Sequence, residues 1–120
     1  MQIKITGRSL EITPALRDYA QEKAGKLEEF YKNIQKVEII LEARSIDDAE
    51  RRQVAEIRTW LSGKKMIQAT EAARDAYAAI DLAIEEAKRQ IQKHKDKHIK
   101  EQRRKASKTK HQMPFESGSL

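Results

Sequence analysis

The sequence predicts a two-layer α+β domain in which two helices cover one face of a four-stranded sheet, in the order β-α-β-β-β-α. Alternating apolar residues indicate four strands, and apolar residues spaced three and four apart indicate two helices. A chain of 120 residues is long enough for one hydrophobic core but not for two. We therefore expect one compact domain followed by a tail.

The spacing of apolar residues changes between the first predicted strand and the first predicted helix. Alternation over residues 2–6 indicates a strand, which Gly7 is expected to end. Thr13 followed by Pro14 is typical of a helix start, because the hydroxyl can accept from a free backbone N–H and proline loses nothing at the first helical position. Apolar residues then recur every three or four positions, so the sequence predicts a helix over 14–31.

The next three strands are predicted to form a meander. The period returns to two over residues 37–43, and a polar loop follows at 45–50. Residues 52–61 alternate again, and Ser62-Gly63 has the chemistry of a tight hairpin turn. A further strand is expected over 64–69.

The last predicted element is a long helix that begins at about Glu71. No glycine or proline interrupts the chain between Gly63 and Pro114, so the helix is expected to reach Arg104. We expect residues 1–104 to form the domain and residues 105–120 to form a flexible basic tail. The predicted core stripe of this helix consists of Ala73, Tyr77, Ile80, Ile84, Ala87 and Ile91.

Positive charge is concentrated at the end of this helix. Residues 88–110 contain eleven Lys or Arg residues but only two acids, Asp96 and Glu101, whereas residues 1–87 contain fourteen basic and sixteen acidic residues. One interpretation is a solvated helix whose lysines serve solubility. The imbalance favours binding to a polyanion, because each Lys or Arg placed on a phosphate releases condensed counterions.

The helical period separates these basic side chains into groups. Lys88 and Lys95 lie beside the apolar stripe, so they carry positive charge around the helix. On the first helix, Lys23 and Lys26 could extend the basic surface, but the stem of Lys23 could equally cover apolar residues. The solvent stripe opposite the core consists of Arg89, Lys93, Lys97 and Lys100.

Composition argues against catalysis and against a membrane protein. The chain has no cysteine, which excludes disulfides and thiolate chemistry, and it has no run of about 18 apolar residues. His94 and His98 have a spacing that can chelate a metal, but the neighbouring lysines disfavour a cation. We expect a cytoplasmic protein that is not an enzyme and needs no cofactor or metal.

The strands lack the exposed aromatic pairs that an RNA-recognition sheet uses to stack bases. Trp60 is the single candidate there. A basic helix that recognises shape and phosphates is the better interpretation, because phosphate contacts need only positive charge at the right positions.

Two sequence motifs carry a resemblance to a known family. Asp75-Ala76-Tyr77-Ala78-Ala79-Ile80-Asp81 and the later run Arg-Gln-Ile-Gln-Lys-His-Lys-Asp-Lys over 89–97 resemble the signatures of the ribosome hibernation promoting factors, a family that includes ribosome-associated inhibitor A. The opening Ile5-Thr6-Gly7 and the segment 11–17 are similar as well. The resemblance extends over residues 1–98.

The resemblance implies a fold like that of double-stranded-RNA-binding domains and a binding site on the small ribosomal subunit. The protein would occupy the channel of messenger RNA and of the transfer RNA anticodon ends near the decoding centre, and it would inhibit translation by occlusion during stress or stationary phase. Its partners would be the small subunit and its ribosomal RNA, in competition with messenger and transfer RNA. The implied RNA contacts are Lys88, Arg89, Lys93, Lys95 and Lys97, with Lys23, Lys26 and Lys100 as further candidates.

The C-terminal region leaves the subtype open. Long members of the family carry a second, dimerising domain, and this chain ends at Leu120, so we expect a short form that is a monomer off the ribosome. The basic tail leaves open whether ribosomes pair, and the inducing stress and the partner proteins are equally open. The alternative function is a general RNA- or DNA-binding protein that uses its basic helix on any phosphate backbone.

Overall fold

The computed structural model describes the backbone of residues 1–112 and the side chains of residues 1–104 except residue 98. The tail predicted from residue 105 onward therefore lies largely outside the described residues. The elements are β1 (Gln2–Arg8), α1 (Pro14–Phe30), β2 (Ile34–Ala43), a 3-10 helix (Ala49–Arg51), β3 (Gln53–Leu61), β4 (Lys65–Ala73) and α2 (Ala76–Gln112).

The four strands form one mixed sheet in the order β1-β2-β3-β4. Strands β1 and β2 are parallel and are connected through α1, while β2, β3 and β4 form an antiparallel meander. This arrangement confirms the predicted α+β class with its order β-α-β-β-β-α. The register places Ile39 opposite both Ile5 and Ile57, and Ile57 opposite Ala69, so that apolar side chains form a continuous row across one face.

The two faces of the sheet differ in chemistry. The apolar face is buried beneath the helices, and its central residues Ile39 and Ile57 have no exposed surface. The other face carries charged pairs, with Glu38 lying 4.0 Å from Lys4 and 3.8 Å from Arg58. The buried residues that the helices contribute within residues 1–90 are Leu16, Ala20, Ala24, Leu27, Ala79, Ile80, Ala83, Ile84 and Ala87.

The ends of α1 and β1 illustrate how local chemistry sets the boundaries. The Thr13 hydroxyl accepts a hydrogen bond from the Leu16 N–H at 3.2 Å, and Pro14 is the first helical residue, as predicted. Strand β1 continues through Gly7 instead of ending there. A Cβ at Gly7 would collide with the carbonyl oxygen of Leu10, so the close approach of the following turn requires glycine.

The predicted start of the last helix at Glu71 is wrong. Residues 71–73 belong to β4, in which Ala73 is buried, and α2 begins only at Ala76. The Asp75 carboxylate accepts from the Ala78 N–H at 2.8 Å and so caps the helix. Alanine and threonine over 69–73 fit either element, and pairing with β3 stabilises the strand.

The described chain divides into two units, residues 1–90 and the part that begins at Ile91. The first contains the sheet, α1 and the first part of α2. The second contains the remainder of α2, which continues beyond the predicted end at Arg104 to Gln112. Within the described residues, no helix is both long enough and apolar enough to cross a membrane.

Candidate nucleic-acid interface

The second unit presents a row of exposed lysines. Lys93, Lys97 and Lys100 are separated by four and three residues, a spacing that places their side chains on one side of a helix. All three are exposed, and no carboxylate among the described residues lies within ion-pair distance of them. Arg104 is exposed one turn later. We call Lys93, Lys97 and Lys100 the lysine row.

Lys95 is placed differently from the lysine row. It is half-buried, as is His94, and both residues interact with other groups of the protein. The nearby Asp96 carboxylate accepts from the Gln92 side-chain amide at 3.0 Å, so this acid is held by a neutral partner. Lys95 is therefore a more constrained member of the predicted contact set.

Lys88 and Arg89, in the first unit, each form an ion pair with a glutamate three residues earlier. The Lys88 ammonium lies 3.4 Å from the Glu85 carboxylate, and the Arg89 guanidinium pairs with Glu86. Such surface pairs contribute little, about 0–1 kcal/mol, and phosphate can replace the glutamate. Arg89 remains 67% exposed in its side chain, so its charge is accessible.

On α1, the structure separates the two predicted lysines. Lys26 is exposed and has no acidic partner among the described residues. The Lys23 ammonium instead lies 3.4 Å from the Asp81 carboxylate and 5.3 Å from the centre of the Tyr19 ring. Tyr19 donates its hydroxyl hydrogen bond to the same carboxylate at 2.6 Å. We call Tyr19, Lys23 and Asp81 the Asp81 clasp; it links α1 to α2 within the first unit.

The clasp changes the titration of two of its members. The hydrogen bond to the Asp81 carboxylate raises the pKa of Tyr19, because that bond requires the protonated phenol. The negative charge of Asp81 raises the pKa of Lys23. Both shifts favour the protonated forms of Tyr19 and Lys23, which are the forms that bind the Asp81 carboxylate.

The pattern of apolar residues predicts the wrong environment for Tyr77. The sequence assigns it to the core stripe, yet it is 41% exposed. Its ring meets the Tyr19 ring edge to face, with centroids 5.0 Å apart and planes at 73°. One signal could have indicated this position: Tyr77 and Asp81 are four apart on one helix, as are Tyr19 and Lys23 on the other, so that the two pairs can face each other.

A four-stranded sheet covered by helices, together with a basic helix, defines a small α+β domain with a candidate polyanion-binding surface. The chain belongs to the family of the Sigma 54 modulation protein / S30EA ribosomal protein, which it matches over residues 3–99. This match confirms the family resemblance of the two sequence motifs.

Relatives and solved structures agree with this assignment. The chain is 41% identical over 97 residues to the ribosome hibernation promoting factor of Klebsiella oxytoca, covering 81% of this chain and 96% of that protein. It is 34% identical over 102 residues to the ribosome hibernation promotion factor of Deinococcus radiodurans, covering 84% of this chain and 53% of that protein.

Two solved structures share the fold. A ribosomal subunit interface protein from Coxiella burnetii matches with a TM-score of 0.70 at 25% identity, covering 80% of this chain and 99% of that one. The N-terminal domain of Protein Y from Thermus thermophilus matches with a TM-score of 0.66 at 33% identity, covering 78% and 99%.

Proposed function

We propose that this protein is a ribosome hibernation factor that binds the small ribosomal subunit in the channel of messenger and transfer RNA, near the decoding centre. It inhibits translation in the cytoplasm by occlusion, during stress or stationary phase, and catalyses no reaction. The observation that carries the proposal is the lysine row, whose three exposed ammonium groups meet no carboxylate among the described residues. Relatives named ribosome hibernation promoting factors support ribosomal RNA as the polyanion.

Electrostatics provides the binding energy in this proposal. Each lysine that neutralises a phosphate releases condensed counterions, so affinity falls as salt concentration rises. The lysine row makes the principal contacts, and Lys88 and Arg89 exchange their glutamate partners for phosphates. Lys95 contacts RNA from a half-buried position, and Lys26 adds a contact from α1. Lys23 contributes least, because Asp81 already opposes its charge.

The first experiment is sedimentation of the purified protein with ribosomes through a sucrose gradient at physiological salt, followed by translation in vitro over the same concentrations. We expect co-migration near one copy per small subunit, loss of translation, and displacement of the protein by excess messenger and transfer RNA. A new heavier peak would reveal paired ribosomes.

The matched control is binding to bulk RNA and to duplex DNA at the same salt concentration. A general nucleic-acid-binding protein would bind all three with similar affinity and would exceed one copy per ribosome. That result, without inhibition of translation, would overturn the proposed function.

A further inference from the structure

The first turn of α2 presents an aromatic ring on a rigid backbone. Among the described Phe, Trp and Tyr residues, Tyr77 alone is exposed, whereas the others are half-buried. Its backbone is held by Asp75, which accepts from the Ala78 N–H through its carboxylate at 2.8 Å and from the Ala79 N–H through its carbonyl at 3.1 Å. The ring is therefore displayed from a capped helix rather than from a loop.

The Asp81 clasp contacts the Tyr77 ring through Tyr19. Tyr19 contacts the Tyr77 ring edge to face and is itself anchored by its hydroxyl on Asp81. Lys23 covers Tyr19 and pairs with the same carboxylate. An aromatic that served only to pack the helices together would be expected to be buried, whereas Tyr77 keeps 41% of its surface exposed.

The charges around Tyr77 suit a nucleotide. The negative charge of Asp81 is opposed by Lys23 and by the Tyr19 hydroxyl, so the clasp does not repel a phosphate strongly. Lys26 lies three residues after Lys23, on the same side of α1 as Tyr19, and it is exposed. An aromatic surface and a cation on neighbouring helices are the two elements that single-stranded RNA binding uses.

Building on the proposed ribosomal role, we propose that Tyr77 is a stacking platform for one unpaired RNA base and that Lys26 binds the adjoining phosphate. Duplex RNA hides its base faces, so this site selects a nucleotide that is splayed out of a loop or a bulge. Tyr19 and Asp81 are positioning residues, because they orient the Tyr77 ring without contacting the base.

The test uses the full chain and an oligouridine with a single 2-aminopurine, whose fluorescence falls when the base stacks on an aromatic ring. We expect quenching by the wild type and by Tyr77→Phe, which keeps the ring. Tyr77→Leu, which keeps apolar contact with Tyr19, and Tyr77→Ala should abolish quenching and weaken binding about tenfold. Leu82→Ala is the matched control, since Leu82 is 48% exposed on the same helix.

Lys26→Gln separates charge from stacking. Affinity falls as salt concentration rises, and this variant should make the slope of log affinity against log salt shallower by about 0.7, the value for one phosphate of a single strand. The 2-aminopurine fluorescence of the bound RNA should remain quenched as in the wild type. Circular dichroism and thermal melting establish that each variant is folded. The stacking proposal is overturned if Tyr77→Leu and Tyr77→Ala quench as strongly as Leu82→Ala does, or if the wild type does not quench.

Sedimentation with small ribosomal subunits distinguishes this proposal from the function on which it rests. If the wild type binds subunits and Tyr77→Ala binds them equally well, stacking is overturned and the ribosomal role stands. If the wild type binds no subunits but quenches 2-aminopurine through Tyr77, the ribosomal role is overturned and the stacking site stands.

Discussion

Residues 1–90 and residues 91–120 differ most in how they carry charge. The first region contains sixteen Lys or Arg and sixteen Asp or Glu residues, which cancel, whereas the second contains nine and three, which accounts for the whole net charge of +6. In the first region, many charges meet a partner, as in the pairs of Arg58 with Glu56 and of Arg74 with Glu50, both at 2.6 Å. In the second, the lysine row is exposed without a carboxylate partner among the described residues.

The two regions also differ in apolar burial. The first contains the buried face of the sheet, that of α1 and most of the buried residues of α2, and Ile57 there is fully buried; of the second, Ile91 is buried. In the second, Ile99 is 43% exposed, and most described side chains are exposed. Most of the packing and the surplus charge are therefore separated along the chain. Like charges destabilise a compact structure, and here they lie where little packing depends on them.

The largest expected effect is the loss of a core side chain. Ile57→Ala removes a residue without exposed surface and should lower the free energy of unfolding by about 2–5 kcal/mol, through lost burial and the cavity left behind. Ile99→Ala, the control in the basic region, should change it by less than about 0.5 kcal/mol. Denaturant unfolding followed by the fluorescence of Trp60, the only tryptophan, measures both. Similar losses of unfolding free energy for the two variants would show that packing in the basic region stabilises the protein as much as packing in the first region does.

Reversal of the lysine row should affect binding instead of stability. At about 1 kcal/mol for each charge near a phosphate in water, Lys93→Glu, Lys97→Glu and Lys100→Glu together should weaken binding to ribosomes about a hundredfold or more. The melting temperature should stay within a few degrees of the wild type. Sedimentation over a range of protein concentrations gives the affinity.

The matched control reverses three exposed basic residues of the first region, Lys32, Arg51 and Lys65, for which no acidic side-chain partner is found among the described residues. This variant has the same net charge as the lysine-row variant. It should bind ribosomes within a few-fold of the wild type. Equal losses for both would mean that net charge, rather than the position of the lysines, determines binding.

A smaller effect is expected at Thr59, a polar residue inside the core of the first region. It has no exposed surface, and its hydroxyl oxygen has no hydrogen-bond partner within the described structure. Thr59→Val should raise the free energy of unfolding by about 1 kcal/mol, because it replaces an unsatisfied buried hydroxyl with a methyl group. Thr70→Val, at an exposed position of β4, is the control for strand propensity. Destabilisation by Thr59→Val would show that the hydroxyl is satisfied in solution.

The smallest effect concerns the Asp81 clasp at high pH. The pKa of Tyr19 is raised above its usual 10.0 by the hydrogen bond to Asp81, and the charge of Asp81 raises that of Lys23 above 10.5. A pKa that is raised in the folded state contributes stability below the unfolded value, and this contribution is lost as pH rises through the folded value. The advantage of the wild type over Asp81→Asn should therefore be largest near neutral pH and shrink above about pH 10. Denaturant unfolding of the wild type and of Asp81→Asn, near neutral pH and above about pH 10, measures the difference in their free energies of unfolding. A difference that does not depend on pH would contradict the role of the clasp.

Local sequence patterns predict most of the fold, because the period of a strand or helix and the chemistry of a helix cap depend on residues that are close in sequence. Alternation identified the strands, and Thr13-Pro14 identified the start of α1. The start of α2 was mistaken, because the strand character of residues 71–73 comes from pairing with β3, which no local period reveals. The basic segment was predictable by counting charges, since its residues are contiguous in the chain.

The sequence by itself determined the element order, the family and the location of the surplus charge. Only the tertiary structure decided the environment of individual site residues. Tyr19 and Asp81 are 62 positions apart, so neither their hydrogen bond nor the restraint of Lys23 could be read from spacing. Tyr77 follows the apolar period of α2, yet it is exposed and its ring meets the Tyr19 ring edge to face. Contacts between distant segments depend on how the helices pack on the sheet, and that packing follows from the whole core rather than from any one stretch of the chain.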